Sequence, residues 1–245
     1  MLVCRNLTIG EGMPKICIPI VGNNDEDILS QLTDELASDL VEIRIDYYEE
    51  IDDFNKVKCL LSKVREIIEC PILFTCRSQD EGGNSLLNEE QYQEFLKDVI
   101  ESGFIDLVDI EINKSNKTIY ILKELAHLNN VKVVMSYHNF DKTPTQDDLI
   151  DILEKMEVMG ADILKIAVMP LAKKDVVTLM DVSLLMSGKL DKPLVMISMG
   201  ELGKITRVAG ELIGSCITFA SATRSSAPGQ IQVSEMKKLL ESIHG

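Results

Sequence analysis

Short apolar runs with the two-residue period of an extended chain alternate along this sequence with longer stretches whose apolar positions recur at helical spacing. Strands are predicted over Lys15 to Ile20, Leu40 to Asp46, Ile72 to Arg77, Leu107 to Ile112, Val131 to His138, Ile163 to Val168, Leu194 to Met199 and Cys216 to Ala220. Helices are predicted over Asp25 to Ser38, Asn55 to Glu69, Asn88 to Ser102, Ser115 to Leu128, Thr145 to Met159, Asp175 to Ser187, Ile205 to Ile213 and Ser234 to His244. Asn88 with Gln91, and Thr145 with Asp148, have the spacing of capping boxes. Eight β-α units in succession predict an α/β fold with a parallel sheet. Count and length favour its closure into a (β/α)8, or TIM, barrel that takes residues 1–245 as one domain. An open doubly wound sheet is the weaker alternative, because no G-x-G-x-x-G follows the first strand. The segment Val3 to Ile9 predicts an extra strand that caps the barrel bottom as an N-terminal β-hairpin, with Gly10-Glu11-Gly12 in its turn.

Several strands carry charges on one face. Glu42, Arg44 and Asp46 alternate with Val41, Ile43 and Ile45, and Asp109 and Glu111 alternate with Val108, Ile110 and Ile112. His138 shares a face with Ser136 and Val134, and Lys165 with Ile163 and Ala167. The apolar faces pack on helices, so the charged faces look into the barrel. Each group has a plainer reading: an internal ion-pair network, a satisfied histidine, a solvated loop arginine at Arg77. Jointly these readings strain, since the groups gather at the C-terminal strand ends where barrel active sites are built. Lys165 stands out, flanked by Leu164 and Ile166. Burial among apolar residues depresses an ammonium's pKa, and a neutral amine there can form a Schiff base with a ketone or aldehyde.

Composition narrows the function further. The chain is 45% hydrophobic and 27% charged, an ordinary globular balance. With neither an apolar run of membrane-spanning length nor a signal-peptide core, a soluble cytoplasmic protein is expected. A formal charge of −15 argues against nucleic acid and anionic membranes as partners. The six cysteines have no C-x-x-C or zinc spacing, so reduced thiols and no metal site are expected. Arg44, Arg77, Arg207 and Arg224 fall beside strand ends, which suggests a small anionic ligand. Met199-Gly200-Glu201-Leu202-Gly203-Lys204 is no phosphate loop by pattern. The small, polar tail from Ser221 to Gln230 reads as an exposed loop or as a lid over the barrel mouth.

In order and spacing, several segments together resemble the type I 3-dehydroquinate dehydratase family. They are Glu42-Ile43-Arg44-Ile45-Asp46, Phe74-Thr75-Cys76-Arg77 with Glu81-Gly82-Gly83, Ser136-Tyr137-His138-Asn139-Phe140 and Asp162-Ile163-Leu164-Lys165-Ile166-Ala167. Ser198-Met199-Gly200 leading to Arg207, and Phe219-Ala220 leading to Ser226-Ala227-Pro228-Gly229-Gln230, complete the set. The resemblance implies a (β/α)8 barrel, usually a homodimer, that dehydrates 3-dehydroquinate in the shikimate pathway with no bound cofactor. By position it implies that Lys165 forms the imine at the C3 ketone and that His138 moves the protons. It also implies that Glu81 orients His138 and that Glu42, Arg44 and Arg77 hold substrate hydroxyls. Arg207, Ser226 and Gln230 match the group that grips the carboxylate and closes the lid. Pro19 departs from the serine that some members carry in the first strand.

Two other readings compete. One is a Schiff-base aldolase or transaldolase; the other is a non-catalytic binder of small organic anions. A sugar-phosphate aldolase needs a phosphate site near the last two strands, where Arg207, Ser226 and Gln230 suit a carboxylate. The presence of both Lys165 and His138 counts against the binder.

Overall fold

The computed structural model describes residues 1–32, 38–222 and 226–244. Two short antiparallel strands, β1 (Leu2–Cys4) and β2 (Leu7–Ile9), come first. Eight parallel strands follow: β3 (Lys15–Ile20), β4 (Leu40–Arg44), β5 (Ile72–Thr75), β6 (Leu107–Glu111), β7 (Lys132–Asn139), β8 (Ile163–Val168), β9 (Leu194–Ser198) and β10 (Ile217–Ser221). They pair in the order β10-β3-β4-β5-β6-β7-β8-β9, and a short β11 (Ile231–Gln232) pairs with β10. A parallel bridge between Leu194 and Ser215, with Cys216 N donating to Leu194 O at 2.7 Å, joins β9 to the start of β10 and closes the barrel.

Helices α1 (Asp25–Leu29), α2 (Phe54–Ile67), α3 (Glu89–Glu101), α4 (Asn116–Leu128), α5 (Gln146–Val158) and α6 (Lys173–Ser187) alternate with the strands. Three single turns, α7 (Gly200–Gly203), α8 (Ile205–Val208) and α9 (Gly210–Ile213), precede β10, and α10 (Val233–His244) ends the chain. Both predicted capping boxes are present, Asn88 with Gln91 on α3 and Thr145 with Asp148 on α5.

Strand parity sorts the side chains into two cores. Outward residues such as Ile18, Ile43, Phe74, Ile110, Met135 and Ile166 pack under the helices. Inward residues near the strand starts, including Leu40, Leu73, Leu107, Val134 and Ile163, form a separate apolar floor with Cys4 and Ile9 of the hairpin. The hairpin thus plugs the barrel bottom, and Arg5 Nε fixes it to Asp106 Oδ1 at 2.6 Å. Apolar filling stops one layer up, at Glu42, Asp109 and Lys165, and this step from apolar floor to charged layer positions the site.

Three local expectations need correction. The hairpin turn falls at Arg5-Asn6, not Gly10–Gly12: Arg5 takes the left-handed conformation (φ 52°), so the chain reverses there, and the glycines instead lead into β3. The stretch predicted as one helix from Ile205 to Ile213 breaks into α8 and α9. The break falls at Ala209, just before Gly210, where a Cβ would lie 2.5 Å from the Pro14 ring. The helix predicted from Asp25 to Ser38 is seen as α1 alone. It ends at Leu29, and the part predicted over 33–37 lies outside the described residues, as does 223–225 with Arg224.

Candidate active site

All nine residues singled out from the sequence line one chamber of about 50 Å³ at the C-terminal end of the barrel: Glu42, Arg44, Arg77, Glu81, His138, Lys165, Arg207, Ser226 and Gln230. Parallel pairing sets their heights. Ser136 is level with Lys165, and His138 with Ala167, so the imidazole sits two residues further along its strand than the lysine level.

Lys165 is 4% exposed, yet its surroundings are not the apolar ones that its sequence neighbours suggest. Leu164 and Ile166 point outward, and Nζ lies 3.3 Å from Asp109 Oδ2, 3.5 Å from Glu42 Oε1 and 4.7 Å from the centre of the Phe219 ring. Nζ therefore rests between two carboxylates and an aromatic face. The expectation of a lysine among apolar groups is corrected to one held in a charged layer, on an apolar floor.

His138 takes a different setting. Its Nδ1 is 2.9 Å from Glu81 Oε2, and its imidazole is held well below the ordinary histidine value, by burial first and then by Arg77, Lys165 and Arg44. The sequence shows arginines and carboxylates with opposing effects on this ring; here burial and cations prevail, and the ring is neutral. Glu81 goes the other way. Burial pushes its carboxyl up to about 8, opposed by Arg77 and reinforced by Glu111 and Asp109. Its other oxygen accepts from Asn113 Nδ2 at 2.9 Å. The motif Glu81-Gly82-Gly83 has a steric reason: a Cβ on Gly83 would stand 2.2 Å from the Arg77 carbonyl oxygen, so only glycine lets the turn fold back onto Arg77.

Two arginines are locked by acids. Arg44 makes a bidentate pair with Asp46, at 2.8 and 2.9 Å. Arg77 donates to Asp109 at 2.7 Å, to Glu111 at 3.0 Å and to Ser136 Oγ at 2.9 Å. Burial opposes its charge, but these carboxylates and Glu81 keep it firmly protonated.

Arg207, on α8, differs. It is 2% exposed, and its Nη1 and Nη2 donate to the carbonyls of Phe219 (3.2 Å) and Pro228 (3.0 Å). Its Nε is buried without a partner, no carboxylate pairs with it among the described residues, and burial lowers it to about 10. A buried guanidinium with an idle donor beside a chamber is suited to an anion that the protein does not itself supply. Ser226 and Gln230 bond to each other nearby, Ser226 N to Oε1 at 2.9 Å and Nε2 to Ser226 Oγ at 3.1 Å.

Some contributors were visible in the sequence without being placed in the site. Asp109 was read as inward-facing, and it proves to touch both Lys165 and Arg77. Burial works to raise its carboxyl, but Arg77, Lys165 and the Ser136 hydrogen bond hold it below the ordinary value. Thr75 Oγ1 anchors Glu42 at 2.9 Å. Phe140, Met199 and Phe219 add apolar wall, which no local pattern marks. Pro19 is buried in β3, level with Glu42.

Comparison with known proteins identifies the family. The family described as Type I 3-dehydroquinase matches residues 16–245. The 3-dehydroquinate dehydratase of Listeria innocua is 44% identical over 246 residues, covering 99% of this chain and 98% of that protein. That of Clostridium novyi is 42% identical, covering 98% and 96%. The structure of type I 3-dehydroquinate dehydratase from Clostridium difficile superposes with a TM-score of 0.96 at 38% identity, covering 99% of this chain and 97% of that one. The structure from Enterococcus faecalis does so with a TM-score of 0.94 at 37% identity, covering both chains in full. With matches over nearly its whole length and a barrel that places lysine, histidine and an open-handed arginine in one chamber, this chain belongs to the type I 3-dehydroquinase family.

Proposed function

We propose that the protein is a 3-dehydroquinate dehydratase, a hydro-lyase that converts 3-dehydroquinate to 3-dehydroshikimate and water through an imine on Lys165. The observation that carries this reading is the shared chamber: a lysine between two carboxylates, a neutral histidine one level above, and a buried arginine with an idle donor. The C. difficile structure was solved with covalent modified comenic acid, and covalent chemistry in that relative supports the same for this one.

The roles follow from position. The substrate carboxylate pairs with Arg207, Ser226 and Gln230, which sets the ring across the chamber with its ketone toward Lys165. Asp109 and Glu42, within 3.5 Å of Nζ, hold it toward C3; neutral His138 takes the ammonium proton, the amine adds to C3, and His138 returns the proton to the carbinolamine hydroxyl, which leaves as water as the imine forms. The protonated imine withdraws electrons from C3 and acidifies the C2 hydrogen. His138 Nε2 accepts that proton, leaving an enamine. The enamine electrons expel the C1 hydroxyl, which takes the same proton from His138 and leaves as water. Water then hydrolyses the product imine and restores Lys165. Glu81 fixes the ring through Nδ1, and Glu42, Arg44 and Arg77 hold hydroxyls. The lysine supplies the electron sink, so the scheme uses no bound cofactor.

The same reading has the enzyme acting in the cytoplasm as a homodimer of one-domain barrels. Exposed Val177, Leu184 and Leu185 on α6 support a self-association surface. Sedimentation of Leu184→Lys tests it, with a monomer expected if this surface joins the subunits. The activity itself is tested by incubation with 3-dehydroquinate and the growth of enone absorbance; no enone with fully folded protein would reject it.

A further inference from the structure

Arg77 is over-subscribed. Its Nη2 donates to Asp109 at 2.7 Å, while Nη1 faces three acceptors: Ser136 Oγ at 2.9 Å, Glu111 Oε1 at 3.0 Å and Glu81 Oε2 at 3.3 Å. A guanidinium nitrogen of this kind carries two hydrogens, so three acceptors compete for two N–H bonds, and Glu81 holds the longest contact. How much of Nη1 remains for Glu81 depends on how well Glu111 is satisfied elsewhere. Glu111 accepts from Ser78 N at 2.8 Å and Ser78 Oγ at 2.6 Å, and Lys114 Nζ stands 3.1 Å from its Oε2.

Lys114 has no place in the chamber lining. It lies in the turn after β6, with its side chain only 13% exposed and its ammonium 4.9 Å from the centre of the buried Tyr92 ring. It is the cation through which this buried cluster reaches the surface. Without it, Arg77 and Lys165 remain to balance Glu81, Asp109 and Glu111, and Lys165 is shared with Glu42. Arg44 is taken by Asp46.

We propose that Lys114 is a positioning residue: by neutralising Glu111 it leaves Arg77 able to hold Glu81 ionised, so that Glu81 accepts the Nδ1 proton of His138 and Nε2 stays bare toward the chamber. This inference rests on the reading of His138 as the base. The groups that face Glu81 are Arg77, Asp109, Glu111, Lys114, Asn113 and His138, and of the two permanent cations among them Arg77 lines the chamber while Lys114 lies outside it. Loss of Lys114 returns the full charge of Glu111 to Arg77 Nη1, and Glu81 then keeps its proton to higher pH. A protonated Glu81 donates to Nδ1, which places the ring hydrogen on Nε2 and disables the base. The influence passes through an intermediate residue, so a shift at the low end of that caused by a nearby charge, about one pH unit, is expected.

The test compares the pH dependence of kcat for the parent enzyme, Lys114→Met and Lys114→Arg on 3-dehydroquinate, with ¹⁵N NMR of His138 in the same proteins without substrate. The expected result is an ascending limb moved upward by about one pH unit in Lys114→Met and restored in Lys114→Arg. KM is expected to be unchanged, and the Nε2 resonance to report protonation to higher pH in the Met variant. Superimposable profiles, or a uniform loss of activity at every pH with an unmoved Nε2 titration, would overturn the proposal. The NMR arm needs no turnover, so a parent enzyme inactive on 3-dehydroquinate would count against the proposed activity and leave the tautomer result to decide the role of Lys114.

Discussion

Oε2 of Glu81 lies 2.9 Å from Nδ1 of His138, and burial drives the two groups apart in proton affinity, the carboxyl up to about 8 and the imidazole well down. Below about pH 8 the pair holds a proton on Glu81, which donates to Nδ1 and leaves hydrogen on Nε2. Above it, Nδ1 donates to the carboxylate and Nε2 offers a lone pair to the chamber. Turnover is therefore predicted to rise with pH through about 8. Glu81→Gln should abolish that limb and lower the plateau by roughly 10²-fold, as expected for a base held less well in its working tautomer. A pH–rate profile of the two proteins checks this.

Stability should follow the same pair with opposite signs. His138 is depressed from its ordinary 6.5, so the unfolded chain takes a proton that the folded one refuses, and this contribution is lost as pH falls from about 6.5 downward. Glu81 is raised from 4.5 to about 8, so the folded protein keeps a proton that the unfolded chain has released, and this contribution is lost as pH rises through that window. The slopes offset one another below 6.5, and above it only the Glu81 slope remains. Of the two groups, Glu81 thus sets a decline in Tm from pH 6.5 to 8, and Glu81→Gln should flatten it. Thermal unfolding across pH 5 to 9 provides the comparison.

His138→Ala is predicted to lose at least 10²–10⁴-fold in turnover while still accumulating imine, because proton transfer and nucleophilic attack use different side chains. Rapid-quench reduction with borohydride, set beside the steady-state rate, separates the two steps. Near-parent turnover in this variant would make the histidine structural.

Arg207→Ala should raise KM by roughly 10- to 150-fold, the worth of a charge-assisted hydrogen bond of about 1.5–3 kcal/mol. Arg207→Lys should restore only part of it, since an ammonium lacks the planar fork that reaches Phe219, Pro228 and the ligand together. Initial-rate kinetics on 3-dehydroquinate decides between this and a merely structural arginine, for which kcat would fall with KM unchanged.

Much of this architecture could be read from the chain because a barrel makes side-chain parity consequential. Once Val41, Ile43 and Ile45 face the helices, Glu42 and Arg44 can only face inward, and the same holds for Asp109 and Lys165. What the pattern hides is who meets whom. Lys165 and Asp109 are 56 positions apart and meet because β8, β7 and β6 are neighbours with Ser136 level with both Lys165 and Glu111. Reading Lys165 from Leu164 and Ile166 suggested an apolar environment, because along a strand adjacent residues face opposite sides. The hairpin turn is hidden differently: glycines at 10 and 12 signal a turn, but the chain reverses at Arg5, a non-glycine residue in the left-handed conformation.

Whether Lys165 carries the covalent intermediate is read by peptide mapping with mass spectrometry after borohydride reduction in the presence of 3-dehydroquinate. A single reduced adduct is expected on the peptide containing Lys165, absent from Lys165→Ala. An adduct on another lysine, or continued dehydration by Lys165→Ala, would contradict it.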